Sequence, residues 1–195
     1  MTNKTLIAIF FTLAIFLFLS GCTTNNNQEN TNNVDWLPNY SPIHNIGSGN
    51  DDFWIVYPNN HTNSSESVIH LSWVNDSLKQ GCVFFVVHKT GCESCQPQAD
   101  RAIKLANNYE EHIVFYDLDM TLGGSIEEKA YESYLYDPDG PPGIIALTGI
   151  LTLIDNSGTI EYAWHSWEQD VKYSEMENWL KDGIYYWYQN SEDLG

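Results

Sequence analysis

Apolar residues along this chain fall into runs of three kinds: unbroken, helix-spaced and absent. An unbroken run, Leu6 to Leu19, follows the polar start MTNKT. At roughly 14 residues it falls short of the ~20 needed to span a bilayer. From Thr23 to Asn33 there is no apolar residue at all. Such a segment cannot repay the entropy of ordering and reads as a flexible tether. From Val34 onward the pattern becomes that of a folded domain. Residues 34–63 lack a helical period, apart from a short strand expected over Asp52 to Pro58. Ser65 to Gly81 places Leu71, Val74 and Leu78 on one face, which predicts a helix capped by Ser65 or Ser67. Cys82 to His88, CVFFVVH, is apolar at nearly every position and rich in β-branched and aromatic residues. That is the pattern of a strand buried on both faces.

Gln98 to Tyr109 carries an apolar stripe of Ala99, Ala102, Ile103 and Ala106, and predicts a helix. His112 to Asp119 reads as a second buried strand, ending in acids, and Ser125 to Tyr136 as a further helix. Pro138, Gly140, Pro141, Pro142 and Gly143 interrupt the chain. Ile150 to Trp164 has the form of a β-hairpin with a glycine turn. Tyr173 to Tyr188 closes the domain as a helix with Trp179, Leu180, Ile184 and Trp187 inward. Strand, helix, strand and then a hairpin give an α/β fold, a mixed central sheet flanked by helices.

The residues after the first run change its meaning. LSGC, Leu19 to Cys22, resembles the lipobox of exported lipoproteins. The resemblance implies a signal peptide over residues 1–21, a lipidated Cys22 with its tether over 22–33, and a domain over 34–195 with its core at about 65–189. It implies residence at the outer face of the cytoplasmic membrane, anchored by the N-terminal lipid. One acyl chain anchors only marginally, so a stable tether takes more than one.

Charge narrows the partners. Lys and Arg number 8 against 26 Asp and Glu, a net −18. An acidic surface repels nucleic acid and anionic headgroups, so neither is an expected partner. Composition is otherwise that of a globular domain, 43% hydrophobic and 14% aromatic.

The candidate chemistry lies in HKTGCESCQPQADRA, where Cys92 and Cys95 are two residues apart. Such a pair is half a zinc site, a structural clip, or a reactive thiol centre. Zinc needs two more ligands, and only Cys22 and Cys82 remain as cysteines. A clip across so small a loop stabilises little. Cys82, starting a buried strand, reads as an inert core thiol.

The order of elements around this pair resembles the thioredoxin superfamily, over roughly Ser65 to Tyr188. VFFVVHKTGCESCQPQ, IVFYDLD and LTLIDNSGTI carry the resemblance. It implies a thioredoxin-like three-layer sandwich and a thiol–disulfide oxidoreductase without cofactor. Its partners would be protein thiols or disulfides and a redox partner the sequence does not name. Cys92, at a helix start, would be the nucleophile, because unpaired backbone N–H groups there favour a thiolate. Cys95 would resolve the mixed disulfide. The chain departs from the family in four places: Gly91 stands before the pair, Glu93 and Ser94 lie within it, Val86 occupies the position of a buried acid, and no proline stands just before the hairpin. His88, closer to the pair than Val86, is the residue that would assist instead. The family's cis-proline position falls near Thr148 and Gly149, with Pro142 the nearest proline, so Gly91, Thr148, Gly149 and Pro142 are the expected docking residues. Two other readings stand beside this one. One is a copper-binding, metal-handling lipoprotein using Cys92, Cys95 and His165, with His165 otherwise a surface histidine. The other is a redox-inert interaction module of the same fold.

Overall fold

A computed structural model describes residues 34–168 and 170–194. The leader, Cys22 and the tether lie outside these residues. No helix among the described residues is long and apolar enough to cross a membrane.

The strands are β1 (Asn45–Gly47), β2 (Asp52–Trp54), β3 (Cys82–His88), β4 (Ile113–Asp119), β5 (Leu147–Asn156) and β6 (Thr159–Trp167). The α-helices are α1 (Ser72–Leu78), α2 (Gln96–Asn108), α3 (Gly124–Glu132) and α4 (Tyr173–Asn190). One six-stranded sheet runs in the order β1-β2-β6-β5-β3-β4. β3 pairs parallel with β4 and antiparallel with β5, so the sheet is mixed, as the order of elements predicts. The crossover from β3 to β4 is α2, which a parallel pair requires.

Alternation along β3 sorts the core into two layers. Cys82, Phe84 and Val86 face α2 and α4. Val83, Phe85 and Val87 face α1 and α3. All these residues are fully buried. Phe84 and Phe85 each stabilise the fold by about 1.5–3 kcal/mol relative to exposure. The result is three layers, helices covering both faces of a mixed sheet. β5 and β6 join through Ser157 and Gly158, both at positive φ (57° and 88°). That pair makes the tight turn whose twist matches a hairpin, and glycine at its second position adopts it freely.

Several expected elements differ. The helix over 65–81 begins only at Ser72. The Tyr57 N–H donates to the Glu66 carbonyl and the Ser65 N–H to the Tyr57 carbonyl, while Ser67 bridges Val56. Backbone tied to a neighbouring strand cannot also wind, so neither Ser65 nor Ser67 caps the helix. β4 is an edge strand and only half buried, because nothing pairs beyond it. In α2 the buried stripe is Ala99, Ala102, Leu105 and Ala106, with Ile103 rotated to the margin.

Residues 34–63 supply β1 and β2, which extend the sheet beyond β6 through Trp54 and Trp164. Asp182 of α4, fully buried, holds this segment down. It accepts from the Tyr40 hydroxyl (2.5 Å), the Ile43 N–H (3.1 Å), the His44 N–H (2.9 Å) and His44 Nδ1 (2.6 Å).

Candidate functional site

Four chain segments meet at one end of the sheet. β3 ends there at His88, opposite Asp119 at the end of β4. β5 begins there at Leu147, opposite Val87, and β6 ends there at Trp167, opposite Thr148. The loop from β3 to α2 therefore leaves the sheet at this end, and it carries both cysteines.

The loop is wound tightly. Gly91 turns at φ +85°, where any side chain is strained, and is exposed. The Cys92 N–H donates to the Lys89 carbonyl (3.0 Å). The Cys92 carbonyl accepts from the N–H groups of Cys95 and Gln96, both at 3.1 Å. Pro97 sits in the first turn of α2, where its missing N–H costs nothing. Cys95 is the capping residue of α2. Cys92 lies one turn earlier, not on the helix itself, so the pair straddles the helix start.

Cys92 and Cys95 are joined by a disulfide, with Cα atoms 5.3 Å apart. Cys95 is buried at 1% exposure and belongs to the core beneath α2. Cys92 is half-buried, packed on the edge of that core. Cys92 is thus the more exposed of the two. Cys82, the remaining described cysteine, is free and buried. Burial pushes its thiol pKa up, which suppresses the thiolate. It is the inert core thiol that the strand pattern predicts.

Around the loop the polar groups are arranged in pairs. His88 Nε2 meets Asp117 Oδ1 at 2.6 Å. That hydrogen bond raises the imidazole pKa, and burial opposes it. Val86 is wholly buried and in register with Asp117, so an acid stands on the next strand, not on β3. Asp119 pins the loop to β4. It accepts from the Thr90 N–H (3.1 Å) and hydroxyl, and from the Thr121 N–H (2.9 Å) and hydroxyl (2.8 Å). Burial pushes the Asp119 carboxyl up, but these donors outweigh burial and hold its pKa low.

Gln98, in the first turn of α2 and 2% exposed, ties three elements together. Its amide donates to the Thr148 hydroxyl of β5 (3.0 Å) and its carbonyl accepts the Val171 N–H (3.0 Å). The cysteine helix is thus locked to β5 and to the segment before α4.

The expected docking residues separate. Gly91 is exposed beside Cys92. Thr148 and Gly149 lie inside β5 and are buried, so neither can touch a partner. A Cβ on Gly149 would come within 2.4 Å of the Phe85 ring, so this glycine serves packing. Pro142 is exposed in the preceding loop, after a cis Pro141–Pro142 bond; the Ile145–Ala146 bond just before β5 is also cis.

His165 is not a surface histidine. It is 3% exposed, stacks on Trp179 at 3.6 Å, and its Nδ1 meets the Asp52 carbonyl at 2.8 Å. Among the described residues no group of three His, Cys, Asp or Glu could hold a metal ion. Cys92, Cys95 and His165 therefore do not form the metal set considered above.

Two features had weaker signals in the sequence. Glu168, just past β6, accepts from the Ile144 N–H. Burial raises its carboxyl pKa to about 7, with Asp137 and Asp139 adding to the shift. The second is the packing of Trp54, Trp167 and Trp179 around His165.

No protein-family model matches this chain. No curated protein matches it either. One solved structure, titled "Structure of a malarial protein", is similar at 14% identity and a TM-score of 0.34. The match covers 53% of this chain and 97% of that one. A likeness of that size assigns no family.

Proposed function

We propose that this chain is a thiol–disulfide oxidoreductase of thioredoxin-like design, tethered at the outer face of the cytoplasmic membrane by lipid on Cys22. One observation carries the reading: a bonded CxxC pair at the start of α2, in the loop that follows the central strand β3, with Cys92 half-buried and Cys95 buried.

The chemistry runs as two exchanges. In the dithiol form, the Cys92 thiolate attacks one sulfur of a partner disulfide. An S–S bond forms to Cys92, and the other partner sulfur leaves as a thiolate. The Cys95 thiolate then attacks the Cys92 sulfur. The Cys92–Cys95 bond forms and the second partner sulfur leaves. Two electrons have passed to the partner, which departs as a dithiol once its thiolates are protonated. An external dithiol restores the enzyme, and the same steps reversed oxidise a partner. The α2 start supplies partial positive charge for the Cys92 thiolate. Burial keeps Cys95 from reacting with any sulfur but its neighbour.

The test is turnover of a protein disulfide, such as insulin, by the full chain with dithiothreitol as electron source. Wild type should accelerate reduction and Cys92→Ser should not. Equal rates in the two would end this reading.

A further inference from the structure

The cavity that His165 lines does not belong to the cysteine pair. It encloses about 210 Å³, too little for a drug-sized ligand but ample for one side chain. Trp54, Trp179 and His165 form buried walls, and the half-exposed Trp167 a further one. Asp51, Asp139 and Glu175, all exposed, stand on its rim.

The orientation of His165 defines what it can take. A carbonyl oxygen only accepts, so Nδ1, facing the Asp52 carbonyl, must carry the ring proton. Nε2 of the neutral ring is then a lone-pair acceptor. It has no hydrogen-bond partner among the described residues and is open to a ligand or water in the cavity, although the side chain as a whole is 3% exposed. Burial keeps the ring neutral by lowering its pKa to about 3. An unmet acceptor and a carboxylate rim together ask for a cation that bears N–H donors. A quaternary ammonium has no such donor.

A second space borders the cavity. Pro138, Asp139, Ser166, Trp167 and Glu175 line both, and the second space, about 390 Å³, extends to Ile144 and Val171. Val171 is hydrogen-bonded to Gln98 in the first turn of the cysteine helix. The two spaces together reach from His165 toward the end of the sheet that carries the disulfide, which is room for a polypeptide with one side chain in the cavity.

We propose that this cavity binds the guanidinium or ammonium head of an arginine or lysine on a partner polypeptide. The partner so held is the substrate of the disulfide exchange proposed above, and the inference rests on that reading for its biological purpose. The binding itself is tested without redox chemistry. The probe is the thiol-free peptide acetyl-Gly-Arg-Gly-amide, titrated into the full chain and followed by tryptophan fluorescence. Saturable binding with a Kd of about 1 mM or tighter is expected, and the norleucine analogue should not bind. Glu175→Gln and Asp139→Asn, both exposed, should each weaken binding about two- to fivefold. His165→Phe should weaken it more, about tenfold or beyond, by removing the Nε2 acceptor. If the norleucine peptide binds as well as the arginine peptide, or the rim variants bind unchanged, the proposal is overturned, even should His165→Phe fail to fold. Loss of peptide binding in a chain that still turns over disulfides sinks the cavity alone. Binding retained in a chain that never turns them over sinks the redox reading alone.

Discussion

Gln98→Ala tests how the cysteine helix is held. The side chain is 2% exposed and makes two buried hydrogen bonds to different elements, Thr148 in β5 and the Val171 N–H. Alanine removes both. The Thr148 hydroxyl can rotate, but the Val171 N–H cannot, and a buried donor left unmet costs about 1–3 kcal/mol. The space vacated by the amide adds a smaller packing loss. We expect the variant to lose about 2–3 kcal/mol in all. Gln96→Ala, two residues earlier, is the internal control. Its amide meets Asp100 at 2.8 Å on the surface, so that substitution should cost under about 0.5 kcal/mol. Urea unfolding of both variants in the oxidised form measures this, as a fall in midpoint at unchanged slope. If the two variants lose stability equally, or Gln98→Ala loses under about 0.5 kcal/mol, Gln98 is not the tie described here.

Further outcomes concern charge. The Glu168 carboxyl is raised from 4.5 to about 7 in the fold, so the folded state binds its proton more tightly than the unfolded chain. Stability from this group is therefore full below pH 4.5 and is lost as pH rises toward 7. Glu168→Gln, which mimics the protonated form, should raise the melting temperature at pH 8 and leave it unchanged at pH 4. The His88 pKa is raised chiefly by its bond to Asp117, so that contribution is present at low pH and lost as pH rises through the folded pKa. Asp117→Asn should therefore destabilise the fold more at pH 5 than at pH 9. Asp182→Ala leaves Tyr40, Ile43 and His44 without their shared acceptor. It should cost at least about 3 kcal/mol in urea unfolding.

The centre of the molecule was legible in the chain because its signals are local. Seven consecutive buried residues announce β3, the glycine-bearing turn announces the hairpin, and the cysteine spacing allows the bond that the structure shows. What could not be read depends on contacts between distant segments. Ser65 to Leu71 continues the helical reading in sequence, yet Ser65 and Glu66 are hydrogen-bonded to Tyr57 and Ser67 bridges Val56, so the helix begins only at Ser72. β1, three residues long, is too short for periodicity to mark it, and of the strand expected over Asp52 to Pro58 only Asp52–Trp54 pairs, as β2. His165 sits in a strand whose burial is set by Phe53, Trp54 and Trp179, two of them more than 100 positions away. Thr148 and Gly149 fall at the docking position only if the hairpin starts at Ile150. β5 begins three residues earlier, at Leu147, which buries both.

The central claim is that Cys92 and Cys95 form a reversible two-electron couple inside a folded domain. The most direct measurement is equilibration of the full chain with glutathione mixtures of graded potential, with quenching and thiol counting at each. The account predicts a single reversible transition with two-electron slope, confined to Cys92 and Cys95, while Cys82 stays unmodified. A pair that opens only when the domain unfolds, or that never re-forms its bond after reduction, would contradict it.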